Sequence, residues 1–296
     1  MNWIKRIGLV AVLLLGLAGA GVGAVYVGSE RILADVEPVP GFELTLVASA
    51  DVIEHGRHIA RTRGCFGCHG QQLEGMVFDE WGWSSRSVAP NIAKSARAMD
   101  DAALEAVIRQ GIGTDGRALW SMPSYNFVHL TDDDLSALIL FLRSAEIVDS
   151  ELPSPSLGLR ARWSIVTGAE EHMAAWGEHV PAMITGPDDD PAHVRGEYIA
   201  MTTCNECHGF DLRGNISPYG HTPDLAMVRG YDFEQFTTLM KTGTSLDGRD
   251  QIPLMSMIAR DRFGSFTDQE LEDLYAFLTS LADRPVPEDV FWRSFD

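Results

Sequence analysis

The sequence is poor in cysteine and in basic side chains. Only four of its 296 residues are cysteine, and 23 lysines and arginines stand against 42 aspartates and glutamates, a net charge of −19. A surface of this charge repels nucleic acid and favours partners with basic docking faces. The apolar share of 45% is ordinary for a globular protein. The length suggests two domains of about 150 residues each.

Charge is also absent from one run near the N-terminus, Ile7 to Val27, which Lys5 and Arg6 precede. Its 21 residues reach about 31 Å at about 1.5 Å per residue, enough to cross the hydrocarbon core of a bilayer. A cleaved signal peptide is the alternative, since small residues occupy possible cleavage positions near Ala20 and Ala24. Because a signal apolar region is normally only about 7–15 residues long, we predict an uncleaved membrane anchor over residues 1–30. Both alternatives send the remaining chain out of the cytoplasm.

All four cysteines lie in two copies of the pattern C-x-x-C-H: Cys65-Phe66-Gly67-Cys68-His69 and Cys204-Asn205-Glu206-Cys207-His208. This pattern attaches c-type haem. The two thiols add across the vinyl groups of the haem, and the adjacent histidine is the proximal ligand of the iron. The sequence therefore predicts two covalently bound haems c, held by Cys65, Cys68, Cys204 and Cys207, with His69 and His208 as metal ligands.

Three other uses of the cysteines explain less of the pattern. Zinc ribbons pair two C-x-x-C units about 15–20 residues apart, whereas the two units here begin 139 residues apart (204 − 65). A thioredoxin-type dithiol gives no reason for a histidine to follow both pairs. Disulfides also leave both histidines unexplained, although four cysteines permit three pairings.

The segments around the two pentapeptides repeat each other. Each half has Gly-x-x-Ile-Ala before the pentapeptide, a proline after it, a helical segment, a glycine loop and a last helix. The equivalent pairs are Gly56 and Gly196, Pro90 and Pro223, residues 101–110 and 233–241, 111–117 and 243–249, and the capping residues Thr131 and Thr267. Each capping threonine has an acid three residues later and then apolar residues at helical spacing.

The repeat predicts a mainly α fold with two tandem helical domains after the N-terminal transmembrane helix. The first domain is expected over 31–148, with Asp51 capping its first helix, and the second over 191–284. Residues 149–190, rich in proline and ending in an acidic run, are expected to form a surface linker with a short docked helix in its middle. Residues 285–296 form a C-terminal tail whose aromatic residues are expected to fold back onto a domain.

The sixth ligand of each haem decides its chemistry, and methionine closes the site and raises the reduction potential. In the first half Met122 lies on a loop between the glycine turn and the last helix, and Met76 and Met99 are less suitably placed. In the second half two residues compete. Alignment of the segments that end in Met122 and Met257 favours Met257, whereas counting from the arginine of the glycine loop favours Met255.

Both halves resemble the small helical c-type cytochrome domain, and the whole chain resembles the membrane-anchored dihaem cytochromes c of bacteria. The motifs that carry the resemblance are the anchor, both C-x-x-C-H sites, Ala89-Pro90-Asn91, Met122-Pro123-Ser124, Leu130-Thr131-Asp132, Pro223-Asp224-Leu225-Ala226, Leu254-Met255-Ser256 and Ala259-Arg260. In that family the distal methionine commonly precedes the capping threonine by about twelve residues, which selects Met255 over Met257. The resemblance also implies that the carbonyls of Pro90 and Pro223 accept hydrogen bonds from the haem-ligating histidines. Arg117 and Arg249 are expected either to pair with haem propionates or to lie in water as turn residues of the glycine loops.

The resemblance implies an electron carrier anchored in the bacterial cytoplasmic membrane, with both haem domains in the periplasm and no catalytic residues. It would link a dehydrogenase or respiratory complex to a downstream cytochrome or oxidase. A dihaem enzyme, of peroxidase or thiosulfate dehydrogenase type, is the main alternative and requires one haem with an open or displaceable ligand. A haem-bearing assembly subunit of a larger complex is the third.

Overall fold

The computed structural model describes residues 2–39, 41–81, 84–217 and 220–286, which are mainly helical. A long helix, α1 (Asn2–Ala34), opens the chain, and two helical domains follow it. The prediction of a mainly α fold with tandem helical domains is confirmed. Most of the predicted C-terminal tail, residues 287–296, lies outside the described residues.

The first domain surrounds its C-x-x-C-H segment with helices and a small antiparallel sheet. Its helices are α2 (Ala50–Thr62), α3 (Cys65–His69), α4 (Ile92–Ala98), α5 (Asp101–Glu105) and α6 (Asp132–Ser144). A π-helical turn, Ala106–Gln110, continues α5, and a 3₁₀ turn, Ser124–Phe127, follows Met122. The strands β1 (Met76–Glu80) and β2 (Ser85–Ala89) pair as a hairpin, which the sequence did not predict.

The connector between the domains is folded onto the first domain. Its strand β3 (Ser156–Leu157) joins the edge of β2, and two helices follow, α7 (Leu159–Thr167) and α8 (Met173–Glu178). The end of the connector is held by the second domain. Glu197, 2% exposed, accepts hydrogen bonds from the backbone amides of Ile184 and Thr185 at 2.6 and 2.7 Å.

The second domain repeats the plan of the first. Its helices are α9 (Pro191–Thr203), α10 (Asn205–His208), α11 (Phe233–Thr242), α12 (Pro253–Asp261) and α13 (Asp268–Ser280). The strands β4 (Asn215–Ser217) and β5 (Gly220–Thr222) form the hairpin equivalent to β1 and β2. Short 3₁₀ turns lie at Leu225–Gly230, Phe263–Ser265 and Leu281–Asp283.

Each domain is built on one close crossing of its first and last helices, α2 with α6 and α9 with α13. A methyl group on Gly56 would lie 2.5 Å from the carbonyl carbon of Ala137, and one on Gly196 would lie 2.8 Å from that of Asp273. Only a residue without a side chain permits backbones to approach this closely. The repeated Gly-x-x-Ile-Ala therefore marks the equivalent crossing point in each domain.

The helix ends show one error of the sequence analysis. Ser49, and not Asp51, caps α2, because its side chain accepts the amide proton of Val52 at 3.2 Å. Thr131 and Thr267 cap α6 and α13. In α13 Glu270 returns a hydrogen bond to the amide of Thr267, which completes a capping box. The shorter Asp134 at the same position of α6 points instead toward the second domain.

Candidate haem sites and their interface

The first C-x-x-C-H segment forms the short helix α3, which follows α2 through a left-handed glycine, Gly64 (φ 85°). Phe66 of this segment is buried in the core of the first domain. His69 is also buried, and its Nδ1 donates a hydrogen bond of 2.8 Å to the carbonyl of Pro90. That bond fixes the tautomer, so Nε2 is the nitrogen left for an iron ion.

The second segment has the same construction. His208 ends α10, and its Nδ1 donates a hydrogen bond of 2.8 Å to the carbonyl of Pro223. The Thr222 hydroxyl, just before that proline, donates to the carbonyl of Cys207 at 2.6 Å. These two hydrogen bonds join the residues Thr222 and Pro223 to α10, the helix that carries His208.

Burial shifts the pKa of the histidines and of three cysteines in the two attachment segments. Burial lowers the pKa of His69 and His208, so both imidazoles are neutral near pH 7, the form that binds a metal. Burial raises the pKa of Cys65, Cys204 and Cys207 to about 11. A catalytic dithiol has a lowered pKa instead.

The donor set also fits the covalent haem. All four cysteines are free thiols, and none is paired in a disulfide. Across the described ranges, no group of three or more histidine, cysteine or acidic side chains is arranged to hold a metal ion, as a zinc ribbon would require. In the second segment the Asn205 side chain is fully buried with neither amide atom hydrogen-bonded. A buried amide without a partner is expected where a further group completes the site.

The candidate distal ligands differ in burial. Met122 is half-buried and packs against the core of the first domain, as Met99 does, whereas Met76 is 38% exposed. In the second domain Met255 packs against the core, whereas the side chain of Met257 is 47% exposed. Both lie on α12, which the sequence analysis did not predict.

The two arginines expected to pair with haem propionates have carboxylate partners in the protein. Arg117 forms an ion pair with Glu30, at the end of α1. Arg249 pairs with Asp247 in the same glycine loop at 2.7 Å, and its side chain is 69% exposed.

The two attachment segments lie close together and share one arginine, Arg262. Its guanidinium donates to the carboxylate of Glu206, inside the second C-x-x-C-H, at 3.1 Å. The same guanidinium covers the first segment, since a methyl group on Gly64 would lie 2.5 Å from Nε and 2.7 Å from Nη1. Gly64 thus supplies both the left-handed turn and the room for Arg262. No sequence pattern indicates this contact, because Arg262 and Glu206 lie 56 residues apart.

Two further hydrogen bonds join the domains. The Tyr198 hydroxyl donates to Asp134, which also accepts from Nε2 of His55 at 2.6 Å. Burial alone would raise the pKa of Asp134, but these two hydrogen bonds lower it, so the carboxylate is ionised at neutral pH. His58 donates to Glu270 at 2.9 Å. Sequence analysis had assigned no role to these histidines, because both partners lie far away along the chain.

The comparisons with known proteins identify the class of protein that these sites define. A family model described as Cytochrome c matches residues 53–146 and 193–282, once in each domain. Together the two matches cover more than half of the chain. The chain therefore belongs to the cytochrome c family, and the prediction of tandem cytochrome c domains with two covalently bound haems c is confirmed.

The relatives are components of dehydrogenases. The chain is 25% identical over 206 residues to the cytochrome c subunit of alcohol dehydrogenase (quinone) from Gluconobacter oxydans, covering 62% of this chain and 40% of the relative. It is 27% identical over 247 residues to one of the subunits of nicotinate dehydrogenase from Pseudomonas putida, covering 78% and 20%. With the fructose dehydrogenase cytochrome subunit of Gluconobacter japonicus the identity is 28%, covering 38% and 27%. The chain thus spans less than half the length of these relatives. They support the prediction of an electron-transfer cytochrome.

Proposed function

We propose that this cytochrome is a two-haem relay, anchored in the bacterial cytoplasmic membrane and exposed to the periplasm. It takes electrons from a membrane dehydrogenase and passes them to a downstream cytochrome or oxidase. The observation that carries the relay is the Arg262 side chain, which contacts both attachment segments. Two haems held at adjacent segments permit transfer within the chain.

With the proposed ligands each haem would be a carrier without an open coordination position for substrate. His69 and Met122 would hold the first iron, and His208 and Met255 the second. The half-buried position of Met255 against the core supports it over the exposed Met257. When bound, a His/Met-ligated haem c supplies one-electron chemistry at a raised potential. The chain's own residues orient the ligands through Pro90 and Pro223.

The membrane location is supported by α1. Its segment from Lys5 to Ala34 is long and apolar enough to cross a bilayer, as a membrane anchor or a signal sequence. We propose that it remains as an anchor, because the helix runs unbroken through both candidate cleavage positions. Lys5 and Arg6 would lie on the cytoplasmic side, and both domains would then lie in the periplasm.

The donor is proposed from the relatives. Three are subunits of alcohol, nicotinate and fructose dehydrogenases, so a dehydrogenase is the proposed source of electrons. The net charge of −19 favours a partner with a basic docking face. Weaker binding of such a partner at higher salt is the expected signature.

The spectrum of the purified full chain tests the carrier function. Oxidised protein is expected to contain two low-spin haems per chain with methionine–iron absorption, and the reduced protein should not bind carbon monoxide. Optical and electron paramagnetic resonance spectra provide the measurement. A stable high-spin haem that reacts with peroxide would contradict the carrier and favour the dihaem enzyme.

Replacement of Arg262 tests the relay. Arg262→Met keeps most of the side-chain volume but removes a cation beside both attachment segments and leaves Glu206 without its partner. Both changes favour the oxidised, more positive haem, so both reduction potentials are expected to fall by tens of millivolts. Because Arg262 contacts both attachment segments, its loss is also expected to slow transfer between the haems, measured after rapid reduction by an external photoreductant.

Arg260→Met is the matched control. Arg260 lies on α12 two residues earlier, is exposed, and donates to the carbonyls of Thr242 and Asp250. The variant changes the net charge equally but leaves both attachment segments untouched. Equal shifts in the two variants would show that Arg262 acts only through net charge, and the shared contact would then have no role in the relay.

A further inference from the structure

The end of α1 is fastened to the connector helix α7. Arg162 donates to the Ser29 hydroxyl at 2.8 Å and to the Glu30 carboxylate at 2.5 Å. Its guanidinium also lies over the ring of Tyr26, 4.5 Å from the centroid. On the next turn Val166 packs so close to Gly28 that a methyl group there would lie 3.2 Å from it.

These contacts fix the depth of α7 relative to the membrane. The apolar run of α1 ends at Val27. The side chains of Arg162 and Val166 contact α1 between Tyr26 and Glu30, a span of about 6 Å along the helix axis. The layer of headgroups on each side of a bilayer is about 5–7.5 Å thick, given a core of about 30 Å in a total of about 40–45 Å. Helix α7 therefore lies beside α1 at the level of the headgroups.

The outer face of α7 has the composition that suits this level. Ala161 and Ile165, each 4% exposed, face the protein. On the other side Arg160 is exposed, Trp163 is 58% exposed and Val166 is 38% exposed. Tryptophan is enriched at the boundary between membrane and water, and arginine places its charge among lipid phosphates while its stem covers apolar surface. Tyr26 of α1, 41% exposed, adds a second aromatic side chain there.

We propose that the outer face of α7, formed by Arg160, Trp163 and Val166, rests in the headgroup layer of the membrane that α1 crosses. The occupant of this face is lipid, because α7 is continuous with the anchor through Arg162 and Val166. This contact gives the first domain a second attachment, so that it is held at a fixed orientation and does not swing on a single helix. The inference rests on the proposed anchor.

Cysteine accessibility in a bilayer tests this contact. In the full-length holoprotein the four native cysteines are consumed by haem attachment, so Trp163→Cys introduces the only free thiol. The protein is placed in phosphatidylcholine nanodiscs, one chain per disc, and treated with a water-soluble maleimide. The thiol at 163 is expected to react roughly tenfold more slowly than a freely exposed one, which corresponds to about 1.4 kcal/mol of protection.

Leu246→Cys provides the reference rate, since Leu246 is 51% exposed in the glycine loop of the second domain. Arg160→Cys, at an exposed position of the same face, is a second test variant with the same expected protection, should Trp163→Cys fail to take up haem. Equal rates at 160, 163 and 246 in discs that retain the chain would overturn the proposal and leave the face open to a protein subunit. A chain that does not stay with the discs would instead contradict the anchor itself.

Discussion

Met255→His is expected to lower the reduction potential of one haem by on the order of 0.2 V, a fraction of the ~0.8 V that axial ligands span. Imidazole donates more electron density than a thioether and so stabilises the ferric iron. The other haem should keep its potential. Potentiometric titration followed by absorption resolves the two values.

Two variants accompany this measurement. Met122→His should lower the potential of the other haem, so the double variant should lower both. Met257→His is the matched control, because Met257 lies on the same helix with its side chain 47% exposed. A shift from Met257→His with none from Met255→His would transfer the ligand assignment to Met257.

Gly56→Ala and Gly196→Ala are expected to destabilise the domain that contains each residue by about 3 kcal/mol or more, the upper range for overpacked cores. The added methyl would approach the Cβ of Phe141 to 2.8 Å in the first case and that of Phe277 to 2.6 Å in the second. A backbone carbonyl in each crossing cannot move away as a flexible side chain can. Thermal unfolding and haem content per chain measure the effect.

Each variant should lose chiefly the haem of the domain that carries the substitution. The reduction potential of the haem that remains would show which of the two has been lost. Gly177→Ala is the control, since a methyl there would have Val128 at 3.7 Å as its nearest neighbour, an ordinary contact. It lies in α8, where alanine is favoured over glycine by up to about 1 kcal/mol. If all three variants lose the same free energy of unfolding, close packing at the two helix crossings does not limit the stability of the domains.

Structural features that depend on neighbouring residues were predictable from the sequence, whereas those that depend on weak or ambiguous local signals were not. The capping threonines of α6 and α13 were predictable because their hydrogen bonds join residues three apart along the chain. Ser49 was missed because Asp51, another good capping residue, lies only two positions later. Helix α12 was missed because its signals are weak apart from Pro253 at its start. The two β hairpins, β1–β2 and β4–β5, were not predicted because their strands are only three to five residues long.

The sequence alone determined the cofactor and the repeat. Two C-x-x-C-H segments with no cysteine left over specify two haems c, and the equivalent glycines, prolines and capping residues specify two copies of one domain. These are local patterns, since each needs only a few consecutive residues. The candidate ligands His69 and His208 belong to this group.

The tertiary structure alone decided how the two copies meet and how the first one meets α1. Arg262 lies 56 residues from Glu206, and Arg162 lies 132 residues from Glu30. No periodicity or spacing indicates such pairs, because they form only when folding brings distant segments together. The same holds for the outer face of α7, whose exposed tryptophan gains a meaning only from its place beside the end of the anchor.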